Sequence, residues 1–166
     1  MDASHLDMTF GPYRNRGLLI DTNLLLLYFV GEVDIKLISR FNRTKEFIKE
    51  DFFLLKYIVK FFDVLVTTPN ILTEVSNLAG REKEYYKLLF YENFSKRLTV
   101  FREEYIESVQ AVASEAFRNF GLTDSVIAEL SKDKYLVLTT DFPLANWLQS
   151  KKIAVQNFNN LRPAVW

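Results

Sequence analysis

Asp21, Glu74, Asp124 and Asp141 are the residues of this chain best suited by type and placement to do chemistry. Asp21 follows the apolar run Gly17-Leu18-Leu19-Ile20, and Asp141 follows Tyr135 to Leu138 after Thr139-Thr140. Asp124 falls in the first turn of a helix expected to be capped by Thr123. Glu74 falls in the second turn of a helix that Thr68 and Pro69 would start, as N-cap and first helical residue. At 3.6 residues per turn it sits about 100° from the centre of the Ile71/Leu72/Val75/Leu78 stripe, on the border of the buried face. Each acid alone has an ordinary structural use: Asp21 and Asp141 as N-caps, Asp124 as a first-turn acid suited to the helix dipole, Glu74 as a solvated helix residue. Crowded together, carboxylates repel and raise one another's pKa. No lysine or arginine stands within two positions of Asp21, Glu74 or Asp124. A divalent cation is the natural neutraliser, and cations on carboxylates can activate water and clamp phosphate oxygens in phosphodiester hydrolysis.

The rest of the composition narrows the chemistry to that kind. There is no cysteine, and the sole histidine is His5 in a polar N-terminal stretch. Disulfide frameworks, thiolate zinc sites, cysteine nucleophiles, histidine triads and multi-histidine metal sites are therefore excluded. A metal here would be held by oxygen, which favours Mg²⁺ or Mn²⁺. Lysine plus arginine and aspartate plus glutamate each number 21, so the net charge is zero. That rules out a wholly basic nucleic-acid coat but not a local basic patch. No glycine-rich phosphate loop of either common pattern is present among five glycines. The longest apolar run, Leu24 to Val30, is too short to cross a bilayer, and residues 1–16 hold no apolar segment of the signal-peptide kind. With the lack of cysteine, this gives the expectation of a soluble cytoplasmic protein with no membrane partner.

The elements that must position the four acids alternate along the chain. At 166 residues it is one domain, expected as a loose leader over 1–16 and a single domain over 17–166. Buried strands are predicted at 17–20, 64–66, 135–138 and 153–155, with an edge strand at 98–101. Helices are predicted at 22–30, stopped by Gly31; 34–40; 50–62, apolar nearly all round; 68–79; 82–94; 103–120, stopped by Gly121; 123–130; and after Asp141. Such alternation implies an α/β fold with a mainly parallel sheet covered on both faces. Strand carboxyl ends and the following helix amino ends then share one edge, where ligands bind. All four acids are expected on that edge.

The segments Leu19-Ile20-Asp21-Thr22-Asn23, Thr67-Thr68-Pro69-Asn70-Ile71-Leu72-Thr73-Glu74-Val75, Gly121-Leu122-Thr123-Asp124-Ser125 and Leu138-Thr139-Thr140-Asp141-Phe142 resemble, in order, the successive motifs of PIN-domain nucleases. The resemblance runs from about Gly17 to Val155. It implies a three-layer α/β/α fold with sheet order 3-2-1-4-5 and a Mg²⁺/Mn²⁺-dependent endoribonuclease acting on single-stranded RNA. On the matching positions Asp21, Glu74, Asp124 and Asp141 would be the catalytic, metal-holding quartet. Asp21 would hold the main ion with Asp124 and Asp141 beside it, and Glu74 would act through water. Thr22 and Thr140 match supporting hydroxyl positions, and Asn23 a structural polar one. Many small members are toxins of toxin–antitoxin pairs, which would make an antitoxin protein a partner.

Lys36, Arg40, Arg43, Lys45 and Lys49 form the densest basic stretch, with Phe41 and Phe47 interleaved. Phosphate contacts plus base stacking suit RNA, against the plainer reading of a solvated face over two core phenylalanines. Arg14 and Arg16 stand before the first strand, and Arg81, Lys83, Lys151 and Lys152 read as surface residues. Tyr85, Tyr86, Phe90 and Tyr91 are candidates for a homodimer or partner surface, against simple core packing. A nuclease-inactive PIN-like module that binds RNA or protein is the alternative function. An aspartyl-nucleophile phosphatase is disfavoured, because Asn23 stands where that chemistry wants an acid and Thr139-Thr140 offer no lysine.

Overall fold

The computed structural model describes residues 3–162, with side chains from Leu6 onward. His5 and residues 163–166 fall outside those side chains. Five short strands, β1 (Leu18–Ile20), β2 (Leu65–Thr67), β3 (Phe101–Glu103), β4 (Leu136–Thr139) and β5 (Val155–Asn157), form one all-parallel sheet. Its order is β3-β2-β1-β4-β5. The register aligns Leu18 with both Leu65 and Leu136, and Leu19 with Val66 and Val137. β1 and β4 are buried along their whole length, as uninterrupted apolar strands between two helical layers must be.

The fold is a three-layer α/β/α sandwich. One layer centres on α2 (Thr22–Val33), which packs against α3 (Lys49–Phe61), α4 (Pro69–Ala79) and α5 (Glu84–Arg97). The other contains α6 (Ser108–Val112), α7 (Phe117–Ser131) and α8 (Phe142–Ser150). No described helix is long and apolar enough to cross a membrane.

Several expected elements are redrawn. Residues 1–16 are not simply loose: α1 (Ala3–Phe10) buries Leu6 and Phe10, and Phe10 packs on Phe61 and Phe62 at 6.5 and 5.8 Å between ring centroids. Gly31 does not stop α2, which continues to Val33. A Cβ there would lie 2.2 Å from the Phe52 ring, so glycine serves close packing of α3 on α2. The helix expected over 34–40 shrinks to one 3₁₀ turn at Ile35–Leu37. Helix α3 exposes Phe53 and Tyr57, so its apolar surface is not buried all round.

The predicted 103–120 helix is replaced by β3, an irregular link and short α6. Of the stripe expected to face the core at helical spacing, Tyr105, Val109 and Val112 are exposed, whereas Ala116 is buried and Phe120 partly buried. The edge strand begins at Phe101, after a 3₁₀ turn at Leu98–Val100. Gly121, at φ 83° and ψ −172°, breaks α7 as expected of a stop. That conformation is cheap only for glycine. It starts a fresh helical turn carrying Thr123 and Asp124.

Candidate active site

Asp21 leaves the sheet at the end of β1 and caps α2. Its Oδ1 accepts the backbone N–H of Thr22 at 2.6 Å. Its Oδ2 accepts the Thr139 hydroxyl at 2.6 Å from the end of neighbouring β4. The Thr139 oxygen in turn accepts the backbone N–H of Asp141 at 3.0 Å. Asp141 caps α8 by accepting the Leu144 N–H at 2.8 Å. One threonine thus ties two acids from adjacent strands into a fixed relation.

Glu74 projects from α4, which Thr68 caps through the Ile71 N–H as the sequence predicts. Both of its carboxylate oxygens are held by hydroxyls. Thr22 donates to Oε2 at 2.8 Å, and Thr123 donates to Oε1. Thr123 therefore aims Glu74 instead of capping the Asp124 helix. Asp124 sits in the turn just after Gly121, where the Ser125 hydroxyl donates to the Gly121 carbonyl at 2.7 Å.

The four acids line one cleft of about 390 Å³, together with Thr22, Asn23, Asn77 and Leu78. Arg43 and Arg81 complete its wall. The cleft lies where β1 and β4 end and where α2 and α8 begin, beside the middle and end of α4, at the edge expected for a ligand in a parallel α/β sheet. A larger hollow of about 670 Å³ lies at the opposite edge, lined among others by Gln110, Lys132, Trp147 and Lys151. Lys132 and Lys151 are already matched there by Glu129 and Glu115. It lacks the convergent unpaired acids of the smaller cleft.

The electrostatics of the cleft are those of crowded carboxylates. Burial pushes the Asp21 carboxyl up; bonds from Thr139 and Thr22 oppose this, and the charges of Glu74 and Asp141 add to it. Asp124 is pushed up to about 7, first by burial and then by the charges of Asp21, Asp141 and Glu74. Among the described residues no lysine or arginine pairs with any of the four. Arg43 and Arg81 share the cleft without forming ion pairs to its acids. No group of three or more acids and histidines among the described residues forms a ready-made cation cage. The donor set is nevertheless hard oxygen throughout, and excess negative charge is what a divalent cation relieves.

Other expected residues fall differently. Thr139, not Thr140, supplies the supporting hydroxyl; Thr140 offers its carbonyl to Asn159. Arg81 belongs to the cleft and is not just surface. Phe41 and Phe47 are core residues and cannot stack on bases. Lys49 pairs with Glu50 at 3.6 Å, and Lys45 is exposed outside the cleft's wall. Of the proposed aromatic surface, Phe90 is buried, Tyr91 bonds the Ser76 carbonyl and only Tyr85 is well exposed. The missed roles of Thr123 and Thr139 had one visible sign: hydroxyls sit beside Asp124 and two residues before Asp141.

Comparison with known proteins returned no matching family model, no matching curated protein and no matching solved structure.

Proposed function

We propose that this chain is a Mg²⁺- or Mn²⁺-dependent endoribonuclease of the PIN-domain kind, hydrolysing phosphodiester bonds in single-stranded RNA. The observation that carries this reading is the cleft itself. Four carboxylates from four separate segments meet at the carboxyl edge of a parallel 3-2-1-4-5 sheet, and among the described residues no lysine or arginine pairs with them. Such an arrangement is costly for stability alone, and perturbed acids in a cleft mark functional sites.

Asp21, Asp124 and Asp141 would hold the ion. When bound, the ion lowers the pKa of water in the cleft and offsets charge gathering on the phosphate oxygens. Thr139 keeps the Asp21 carboxylate aligned with Asp141. Glu74, clamped at both oxygens by Thr22 and Thr123, is positioned to accept a hydrogen bond from attacking water and orient it. Arg43 and Arg81 are free to bind the nonbridging oxygens of the scissile phosphate.

Purified protein with Mn²⁺ or Mg²⁺ is expected to cut single-stranded RNA, leaving 5′-phosphate and 3′-hydroxyl ends. Chelation with EDTA should abolish the activity. Products ending in a 2′,3′-cyclic phosphate, or cleavage that persists in EDTA, would overturn the reading. A nuclease-inactive RNA- or protein-binding module is the second reading. RNA binding without cleavage at any metal concentration would select it.

A further inference from the structure

Resting on that reading and extending it, we infer that a single RNA strand reaches the acid cleft along a track of Arg43, Arg81, Lys83, Arg40, Tyr85 and Lys36. Three hollows lie in succession along this surface. The acid cleft ends at Arg43 and Arg81. A second hollow of about 330 Å³ is lined by Arg40, Glu82, Lys83 and Tyr86. A third, of about 360 Å³, shares Arg40 and Tyr86 with the second and adds Lys36 and Tyr85. The first joins the second through consecutive Arg81, Glu82 and Lys83, where the Asn42 N–H donates to Glu82 at 2.9 Å.

The charge along this line is unspent. Lys36, Arg40, Arg43, Arg81 and Lys83 are all exposed, and among the described residues none forms an ion pair. Several lysines elsewhere on the surface are paired, as Lys87 is with Glu84, Lys96 with Glu92 and Lys132 with Glu129. The acids near the track are engaged: Glu82 by Asn42, Asp34 by the Lys36 N–H and Glu84 by Lys87. A row of unpaired cations leading out of an acidic cleft fits a polyanion that must bring one phosphate to the acids.

The aromatic pair chooses the kind of polyanion. Tyr86 is fixed, its hydroxyl accepting from Arg40 at 2.7 Å and its ring lying 6.4 Å from that of Phe41. Tyr85 meets Tyr86 edge-on at 5.6 Å and remains 68% exposed. An exposed ring beside free cations is a stacking platform for an unpaired base, which a duplex does not present.

The test uses Asp21→Asn protein, so that RNA is not cut, and a fluorescein-labelled oligouridine strand read by anisotropy across a salt series. Combining Arg40→Gln with Lys83→Gln should weaken binding more than tenfold and flatten the log–log salt slope by about 1.4, at about 0.7 per lost phosphate contact. Tyr85→Ala should weaken binding about tenfold with the slope unchanged, and Tyr85→Phe should restore it. Lys60→Gln, an exposed unpaired lysine in the last turn of α3 near the opposite edge, should change nothing. Melting curves check that each variant is folded. Unchanged affinity and slope in the Arg40/Lys83 variant would overturn the track, as would equally tight binding of a duplex. If wild-type protein cleaves RNA while track variants keep their KM, the track fails and the nuclease stands. If wild-type protein never cleaves but Asp21→Asn binds through the track, the nuclease fails and the track stands. An acidic peptide that displaces the RNA and binds more tightly would reassign the surface to a protein partner.

Discussion

Asp51 and Asp21 are both buried acids at the start of a helix, and the chain treats them in opposite ways. Asp51 is fully buried near the start of α3, gripped by Arg162 through Nε to Oδ1 and Nη2 to Oδ2, each at 2.9 Å. The Ile48 N–H adds a bond to Oδ2 at 3.0 Å. Glu32, at the end of α2, is likewise held between Lys56 at 2.6 Å and Arg97. Asp21 is 7% exposed and has only a hydroxyl and a backbone amide, with further acids beside it. The scaffold thus neutralises its buried carboxylates from within, but the cleft leaves charge to be neutralised from outside. A buried unpaired carboxylate is destabilising, so the contrast separates acids that hold the fold from acids kept for chemistry.

Replacing a cleft acid and the partner of a scaffold acid should break stability and activity apart. Asp21→Asn is expected to lower RNA cleavage by orders of magnitude while the melting temperature holds or rises, because it removes a charge without changing shape. Arg162→Ala should do the reverse. It leaves Asp51 buried and uncompensated, at a cost of about 3–5 kcal/mol in chemical denaturation, while the remaining folded protein keeps its turnover. Loss of stability in Asp21→Asn and none in Arg162→Ala would dissolve the distinction.

A smaller effect sharpens the role of Thr139. Thr139→Val removes the hydroxyl that links Asp21 to the Asp141 backbone. Metal affinity or activity should fall about 10–100-fold, as for other groups that orient metal ligands, and Thr139→Ser should recover most of it. Thr140→Val should have little effect on either, whereas equal losses at both positions would deny Thr139 its specific place.

The smallest effect is in pH dependence. Asp124 titrates near 7 in the metal-free fold against 3.8 ordinarily, so the folded chain holds this proton more tightly than the unfolded one. The resulting stabilisation is complete below about pH 3.8 and is lost as pH rises through about 7. Metal-free protein should therefore melt lower at about pH 8 than at about pH 5.5, and Asp124→Asn should flatten that difference. A wild-type melting temperature that rises across the same window, unchanged in Asp124→Asn, would contradict the crowding of acids.

The readable and unreadable parts of the molecule follow from which interactions are local. Asp21 and Asp141 were legible because an apolar strand ending in a helix-capping acid is a signal a few residues long. The 3-2-1-4-5 order came from the resemblance of four motifs, since short buried strands carry no mark of their neighbours. The 103–120 stretch misleads because Tyr105, Val109 and Val112 repeat at helical spacing on an exposed surface, while β3 is specified by backbone bonds to β2. Thr139 and Thr140 are chemically identical neighbours, and only the geometry at the end of β4 decides which reaches Asp21. Arg81 joins the cleft because the end of α4 and the loop around Arg43 come together across nearly forty residues of sequence, which no local pattern records. The N-terminal helix is similarly anchored at a distance, by Phe10 on Phe61 and Phe62.

The central claim, that the four acids form one cation site, is tested most directly by calorimetric titration of Mn²⁺ into metal-free protein near pH 6.5. Wild-type protein is expected to bind Mn²⁺ and release protons, seen as a binding heat that changes with buffer ionisation enthalpy, because part of Asp124 is protonated at that pH. Asp21→Asn should lose most of the binding, and Asp51→Asn, if folded, should retain it. Equal Mn²⁺ affinity in wild-type and Asp21→Asn protein, with no proton release in either, would contradict the account.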